Sequence, residues 1–285
     1  MPELARAAAA TAEPIVKWPG GKSRLLAELV ARLPPTWGRY FEPFAGGAAL
    51  FFRLAPRRAV LSDLNADLMA TYRAIIDDLD GVERWLQRYR AAHSSAHYYA
   101  TRTQWNTRRA AWSATKRAAT FIYLNKTCFN GLWRVNRAGE FNVPVGRYTN
   151  PTIYSPAALR AARDVLARAE LRTGDYREAL RDATAGDLVY LDPPYHPVSA
   201  TSSFTSYTPG AFSADDQRAL AETARALVAR GCHVVLSNSN ARFIRTLYAG
   251  FRIDRVSCSR SINSVGDRRG GVIELVVVGQ HAAVR

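Results

Sequence analysis

Apolar and polar positions follow a strand-and-helix alternation at both ends of this chain and a purely helical rhythm in between. Leu25, Leu26, Leu29, Val30 and Leu33 share one helical face, which predicts a helix from Ser23, its cap, to Leu33, stopped by Pro34-Pro35. A short strand is expected over Arg39 to Pro43, followed by the loop Phe44-Ala45-Gly46-Gly47 and an apolar helix from Ala48 to Leu54. A second strand runs from Ala59 to Ser62 and ends at Asp63. Strand, glycine turn, helix and acid-tipped strand make a βαβ opening. From about Thr71 to Asn150, helical stretches dense in Arg, Trp and Tyr replace this alternation. The Pro-, Gly- and Asn-rich piece from Asn130 to Asn150 reads as turns or a hairpin. Alternation then resumes. Ser155 caps a helix with Pro156 at its first position, reaching about Ala169. Leu188 to Leu191 is a buried strand that stops at Asp192-Pro193-Pro194-Tyr195. Ser213 caps a long amphipathic helix (Leu220, Ala224, Leu227, Val228) closed by Gly231. Cys232 to Leu236 is another strand, and Phe251 to Ser257 with Val272 to Val278 reads as a closing antiparallel pair.

These elements predict an α/β, Rossmann-like fold carrying a mostly helical insertion. The expected division is a loose tail at 1–13, a core domain at 14–73 and 151–285, and an inserted domain at 74–150 with a hairpin at about 130–148. A chain of 285 residues, 48% hydrophobic, can bury such a core. Its net charge of +15 points to a polyanionic partner. The charge is concentrated: between Arg84 and Arg147 twelve basic residues face a single acid, Glu140. An even, merely Arg-rich surface is therefore disfavoured. Cys128, Cys232 and Cys258 show no paired spacing, the histidines no ligand spacing, and no metal is expected. Reduced thiols, no apolar run of ~20 residues and no leader pattern in Met1 to Glu13 together predict a cytoplasmic protein without a membrane.

Three short motifs carry chemistry. Asp192-Pro193-Pro194-Tyr195 stands at the carboxyl end of a buried strand, where open α/β sheets bind ligands. The N6 amino group of adenine is a poor nucleophile, because its lone pair is delocalised into the ring. The Asp192 carboxylate and the Pro193 carbonyl, accepting its two N–H bonds, would localise that lone pair. Pro193 and Pro194 stiffen the turn, and Tyr195 offers a face to an extruded base. The alternative is an ordinary Pro-Pro turn with a capping Asp. In Phe41-Glu42-Pro43-Phe44-Ala45-Gly46-Gly47, the glycines let the backbone approach a ligand, and Asp63 stands where an acid accepts from ribose hydroxyls. The loop is not GxGxxG, which argues against a dehydrogenase. Trp18-Pro19-Gly20-Gly21-Lys22-Ser23 suggests a phosphate loop, but Val16 stands where that motif needs glycine and no strand precedes it.

Together with Lys17, these motifs in this order resemble the Dam-type (D12 class, alpha-group) DNA adenine-N6 methyltransferases. The similarity runs from about Ile15 to near Val278. It is densest at Leu124-Asn125-Lys126, at Phe129 to Arg134 and at Gly139 to Pro144. Ser199-Ala200-Thr201, Phe204-Thr205, Tyr207 and Arg260-Ser261-Ile262 are similar to later family segments. The resemblance implies a Rossmann-like S-adenosylmethionine-dependent methyltransferase fold whose insertion recognises the DNA target. It implies that S-adenosylmethionine is held by Trp18, Lys22, Phe44, Gly46, Asp63, Asp175, Tyr176 and Asp192. Asp192, Pro193, Pro194 and Tyr195 would act on a flipped adenine. Lys17, Asn130, Leu132, Arg134 and Pro144 match positions that read base edges, and Asn136 and Arg137 match phosphate contacts.

Two positions depart from the pattern. Phe129 stands where relatives often carry a wedging tyrosine, so a hydroxyl contact is lost, and Pro19 replaces a common alanine. The expected target is GATC in double-stranded DNA, methylated by a monomer, with a cognate restriction endonuclease as a candidate partner. Methylation of RNA adenine or a protein glutamine amide, and a catalytically silent DNA binder, are the competing readings. The Arg-rich insertion argues against the glutamine substrate, and the intact Asp192 to Tyr195 motif against the silent binder. Asp77-Asp78 and Asp215-Asp216 read as solvated helix positions, and Trp85, Trp105 and Trp112 as the insertion's small core.

Overall fold

The computed structural model describes residues 12–20, 22, 25–198, 212–258 and 272–279. The first part of the chain gives helix α1 (Leu26–Val30), strand β1 (Tyr40–Glu42), α2 (Ala49–Leu54) and β2 (Ala59–Asp63). Four successive helices follow: α3 (Ala66–Asp77), α4 (Leu79–Ala92), α5 (Ser95–Arg108) and α6 (Ala114–Thr127). Then come α7 (Pro156–Leu166), β3 (Ala169–Thr173), α8 (Tyr176–Ala179) and β4 (Leu188–Leu191). The chain continues through α9 (Ala214–Ala229), β5 (His233–Ser239), α10 (Arg242–Leu247), β6 (Arg252–Cys258) and β7 (Val272–Gly279). The strand order is β3-β2-β1-β4-β5-β7-β6. Strands β1, β4 and β5 pair in parallel, and β7 is antiparallel to both β5 and β6. This is the α/β, Rossmann-like class that the alternation predicts. The chain leaves β1 toward one side of the order and returns through β4 toward the other, so the carboxyl ends of β1 and β4 mark the switch point where such sheets bind ligands.

The chain forms two compact units. One comprises Met1–Gly21, Ala45–Arg57 and Leu61–Asp175; the other Lys22–Phe44, Arg58–Val60 and Tyr176–Arg285. In the first, α6 packs against α3, α4 and α5. It is buried nearly all round, from Ala118 to Asn125, as a helix enclosed by others must be. Side-chain caps start these helices: Asn65 accepts from Leu68 N, Asp78 from Gly81 N, Ser94 from His97 N and Ser113 from Lys116 N. Asp77 and Asp78 are both exposed, as expected, and Asp78 serves in addition as a cap. Trp105 is buried as expected, whereas Trp85 and Trp112 are only half-buried, with Lys116 over both rings. Trp133, which sequence reasoning left out of the core, packs on Phe121 at 3.8 Å and stacks on Phe141 at 4.5 Å.

In the second unit, Val189 and Leu191 of β4, Val234 and Leu236 of β5 and Leu275 and Val277 of β7 pack on Leu220, Ala224 and Leu227 of α9. Helix α9 begins with a capping box in which Ser213 and Asp216 satisfy each other's backbone N–H groups. Asp216 is thus a cap, and Asp215 pairs with Arg218. The helix ends in a Schellman turn: Gly231 at φ +87° donates to Val228 O, and Cys232 N to Leu227 O.

Several boundaries differ from expectation. Helix α1 is shorter because its last turn tightens, with Arg32 N bonding Leu29 O and Leu33 N bonding Val30 O. Gly21 and the expected cap Ser23 lie outside the described residues, as do 199–211, with the similar segments Ser199 to Thr201 and Phe204 to Tyr207, and Arg260 to Ile262. Most of the expected tail at 1–13 also lies outside them. Helix α2 starts after Ala48 because Ala48 is left-handed at φ +52°. Helix α7 ends at Leu166, and β3, unforeseen, takes over at Ala169. Strand β5 continues past Leu236 through Ser237, Asn238 and Ser239, which are polar yet buried.

Candidate active site

Strand β4 is buried along its whole length and delivers Asp192 at its carboxyl end. The Asp192 side chain is 20% exposed and meets Lys22 Nζ at 2.8 Å, Lys22 itself being 8% exposed. Ser237 Oγ, from the end of the neighbouring β5, donates to the same oxygen, Oδ1, at 2.7 Å. Burial pushes the Asp192 carboxyl above its ordinary range, opposed by the Lys22 charge and the Lys22 and Ser237 hydrogen bonds. Ser237 is held in turn by the buried Tyr190 hydroxyl at 2.9 Å. The Lys22 ammonium also lies over the Tyr195 ring, 4.6 Å from its centroid. The Tyr195 hydroxyl donates to Glu274 Oε2 of β7 at 2.9 Å. Burial raises the Tyr195 phenol well above its usual value, and the Asp192 charge adds to this, so the ring stays neutral.

The turn after β4 is held from outside. Gln217 Nε2 of α9 donates to Pro194 O at 2.8 Å. The His196 N–H donates to Asn238 Oδ1, and Ser239 Oγ donates to His196 O. The known contacts of Asp192 fall on Oδ1. Among the described residues, neither Asp192 Oδ2 nor the Pro193 carbonyl accepts a hydrogen bond. One carboxylate oxygen and one main-chain carbonyl of this turn are therefore without a hydrogen-bond partner among the described residues. In the same unit, Phe44, just past β1, lies 5.2 Å from the buried Tyr176 ring and meets Phe212 edge-on at 5.8 Å. These are flat apolar faces of the kind a purine stacks on.

In the first unit the glycine loop is built around Trp18. Gly46 has φ +47°, and a Cβ there would stand 2.5 Å from Trp18 Cδ1, so only glycine fits. Gly46 N–H donates to Asp63 Oδ2 at 2.9 Å, and Asn65 N–H to Asp63 Oδ1 at 2.8 Å. Burial raises the Asp63 carboxyl while these two bonds lower it. Tyr72 OH fixes the Gly46 carbonyl at 2.6 Å. Gly174, whose N–H bonds Asp63 O at 3.1 Å, places Asp175 directly after β3.

The same unit gathers the basic, base-reading candidates. Phe129, Asn130, Arg134, Arg137 and Pro144 are exposed and Leu132 is half-buried. The segment is a turn at Phe129–Gly131, with Asn130 left-handed at φ +53°, and isolated antiparallel bridges Val135↔Phe141 and Cys128↔Val145. Phe129 N bonds Pro144 O. Arg134 Nε donates to Asn142 Oδ1, leaving its two terminal nitrogens as a fork. Asn136 accepts from Ala138 N and Glu140 N and donates to Glu140 Oε2, so its amide closes the turn. Lys17 Nζ donates to Tyr148 OH at 3.1 Å and lies over that ring. Burial and the Lys17 charge lower the Lys126 ammonium. Part of the basic excess is internal: Arg109 and Arg117 pair with Asp67, and Arg102 donates to Val143 O. Arg84, Arg108, Arg137 and Arg147 are exposed.

Sequence reasoning missed Gln217, Ser237, Asn238, Ser239, Glu274 and Tyr148, and it named Asn125 only within a similar segment, without a role. One signal was present: a buried strand that runs on into Ser-Asn-Ser has polar groups that need partners. Asn125 is fully buried and clamps Lys17 from both sides, accepting from Lys17 N at 2.8 Å and donating to Lys17 O at 2.7 Å. It also donates to Gly131 O at 3.2 Å.

Among the described residues, no group of three His, Cys, Asp or Glu side chains is placed to hold a metal ion, and no helix is long and apolar enough to cross a membrane. Residues 18–262 match the family model of D12 class N6 adenine-specific DNA methyltransferases. The chain is 40% identical over 284 residues to the type II methyltransferase M.MjaIII of Methanocaldococcus jannaschii, covering 93% of this chain and 98% of that one. It is 38% identical to the type II methyltransferase M1.LlaDCHI of Lactococcus lactis subsp. cremoris, over 93% of this chain and 94% of the relative. It is 34% identical to a DNA adenine methylase of Haemophilus influenzae, over 93% of each.

Proposed function

The chain belongs to the D12 class of N6 adenine-specific DNA methyltransferases, and from that premise we propose that it methylates adenine N6 within GATC in double-stranded DNA, after turning the base out of the duplex. The observation that carries this reading is the pair of acceptors at the end of β4 that no described residue engages, Asp192 Oδ2 and Pro193 O, beside Lys22, whose charge opposes the rise that burial gives the Asp192 carboxyl. These acceptors take the two N–H bonds of the adenine amino group. The lone pair is then localised on N6 and directed away from both. Asp192 also stands against the positive charge that grows on N6 during transfer, and the surplus proton leaves afterwards. This is positioning and charge complementarity, with no covalent enzyme intermediate. Tyr195, neutral and fixed by Glu274, supplies a stacking face for the base.

The family implies S-adenosylmethionine as donor, and the residues present suit it. Bound there, it supplies an electrophilic methyl group on a sulfonium sulfur. In the first unit, Asp63 would accept from the ribose hydroxyls, Gly46 would admit close backbone approach, and Trp18 would line the loop, with Asp175 just after β3. In the second, Phe44 and Tyr176 would offer faces to the purine, and Lys22 and Asp192 would balance the charge of the donor. Lys17, Asn130, Leu132, Arg134 and Pro144 read base edges, Phe129 stacks at the gap left by the base, and Arg137 with Asn136 takes the phosphates. Residues 74–150 serve as the target-recognition part. The enzyme acts as a cytoplasmic monomer, and a restriction endonuclease of the same specificity is a fitting partner.

Asp192→Ala tests the assignment. Methyl transfer to duplex DNA should fall by ~10²-fold or more, as for loss of a key polar group, while DNA binding is retained. Turnover like that of the wild type would sink the assignment.

A further inference from the structure

Gln217 and Asn238 take no part in the chemistry above, yet both are 0% exposed. A buried amide must satisfy its donors and acceptor, and these two do so on each other and on the catalytic turn. Asn238 Nδ2 donates to Gln217 Oε1 at 3.1 Å, and Gln217 Nε2 donates to Pro194 O at 2.8 Å. Asn238 Oδ1 accepts from His196 N–H at 3.2 Å and from Ser239 N–H at 2.8 Å. Ser239 Oγ donates to His196 O at 2.6 Å. Main-chain groups on both sides of Tyr195 are thus tied to α9 and to the end of β5.

The division of labour is specific. Proline rings fix φ at positions 193 and 194, and the Pro194 ring also restricts ψ of Pro193, but ψ of Pro194 stays open, so the prolines do not by themselves fix the Pro194 carbonyl, the Tyr195 ring or the anchoring of the turn as a whole. The amide bonds at Pro194 O and His196 N–H supply that missing constraint. They engage the carbonyl after Pro193 and leave the Pro193 carbonyl itself for a ligand.

We propose that Gln217 and Asn238 are positioning residues for methyl transfer: linked buried amides that aim the Pro193 carbonyl and the Tyr195 ring at the amino group of the target base. The inference rests on the reading of Asp192 to Tyr195 as the turn that holds adenine. Transfer rates are sensitive to sub-ångström placement of such groups, so loosening the turn should slow the reaction without weakening binding.

The test compares wild type with Gln217→Met, Asn238→Ala and the double variant. For each, kcat is measured with tritiated S-adenosylmethionine and duplex DNA, alongside the KM for the donor, the DNA Kd and the melting temperature. Each single substitution should lower kcat about tenfold or more, with KM and Kd within about twofold. The double variant should be no slower than the slower single one, because the pair acts as one link. Gln217→Glu should regain activity relative to wild type as pH falls, since a protonated carboxyl reproduces the amide's donor and acceptor. Should Gln217→Met fail to fold, Ser239→Ala removes one hydroxyl from the same support and should lower kcat about threefold at unchanged KM. Variants with lowered melting temperature and unchanged kcat would overturn the proposal, as would parallel losses in kcat and DNA affinity. If wild type methylates no adenine, the functional reading fails first; if it does and the variants keep its kcat, only this inference fails.

Discussion

Lys22 shows how one side chain sets the working range of a site. The proposed transfer calls for Asp192 ionised, and burial has raised its pKa. Below that pKa the carboxyl is protonated, loses its negative charge and turns one oxygen into a donor, so the rate should fall as pH drops through it. Lys22 at 2.8 Å opposes the rise, and an opposite charge at such range lowers a carboxyl by about one to three units. Lys22→Met should therefore move the acid limb of the kcat–pH profile upward by about one unit or more, with activity recovered at higher pH. An unmoved limb with a raised KM for S-adenosylmethionine would place Lys22 on the donor instead. At this scale the motif residues were legible because their chemistry lies within a few positions of one another. Gln217 and Ser237 were not, because each serves a turn more than twenty residues away. Asn125 was visible only as part of a similar segment, and its clamp on Lys17 spans 108 residues.

Among the elements, α9 joins stability to the site, since its buried face carries both core leucines and Gln217. Ser213→Ala breaks the capping box and should cost about 1 kcal/mol of unfolding free energy, read from denaturant titration. No change in midpoint would mean that neighbouring groups replace the cap. The segment after α6 tests recognition. Arg134 is held at Nε by Asn142 and presents its remaining nitrogens as a fork. Arg134→Ala should lose ~1–3 kcal/mol of discrimination at one base pair, measured on duplexes substituted one pair at a time. Equal losses on every duplex would make it a phosphate contact. Long periodic elements such as α9, and the β6 and β7 pair, could be read from the pattern. Strand β3, Ala-Glu-Leu-Arg-Thr at one end of the strand order, has too little apolar content to announce itself, and α8 and α10 are too short to show a period.

For the molecule as a whole, charge and topology point the same way. The +15 excess suits a polyanion, though Arg109 and Arg117 are committed to Asp67 and so contribute less to any partner. The parallel strands β1 and β4 bring the Phe44 loop and the Asp192 turn to one end of the sheet. That placement follows from the alternation of elements and was expected from sequence. How the second layer of buried polar side chains secures it was not, because contacts across the fold leave no local period.

The most direct test of the central claim incubates the purified protein with tritiated S-adenosylmethionine and two duplexes, identical except that one carries GATC and the other a scrambled site. The account predicts label on N6-methyladenine in the GATC duplex alone. Label in both would retain the reaction and discard the target. Label in neither, with other duplexes and RNA equally unmodified, would contradict the proposed methyl transfer and leave a protein that only binds DNA.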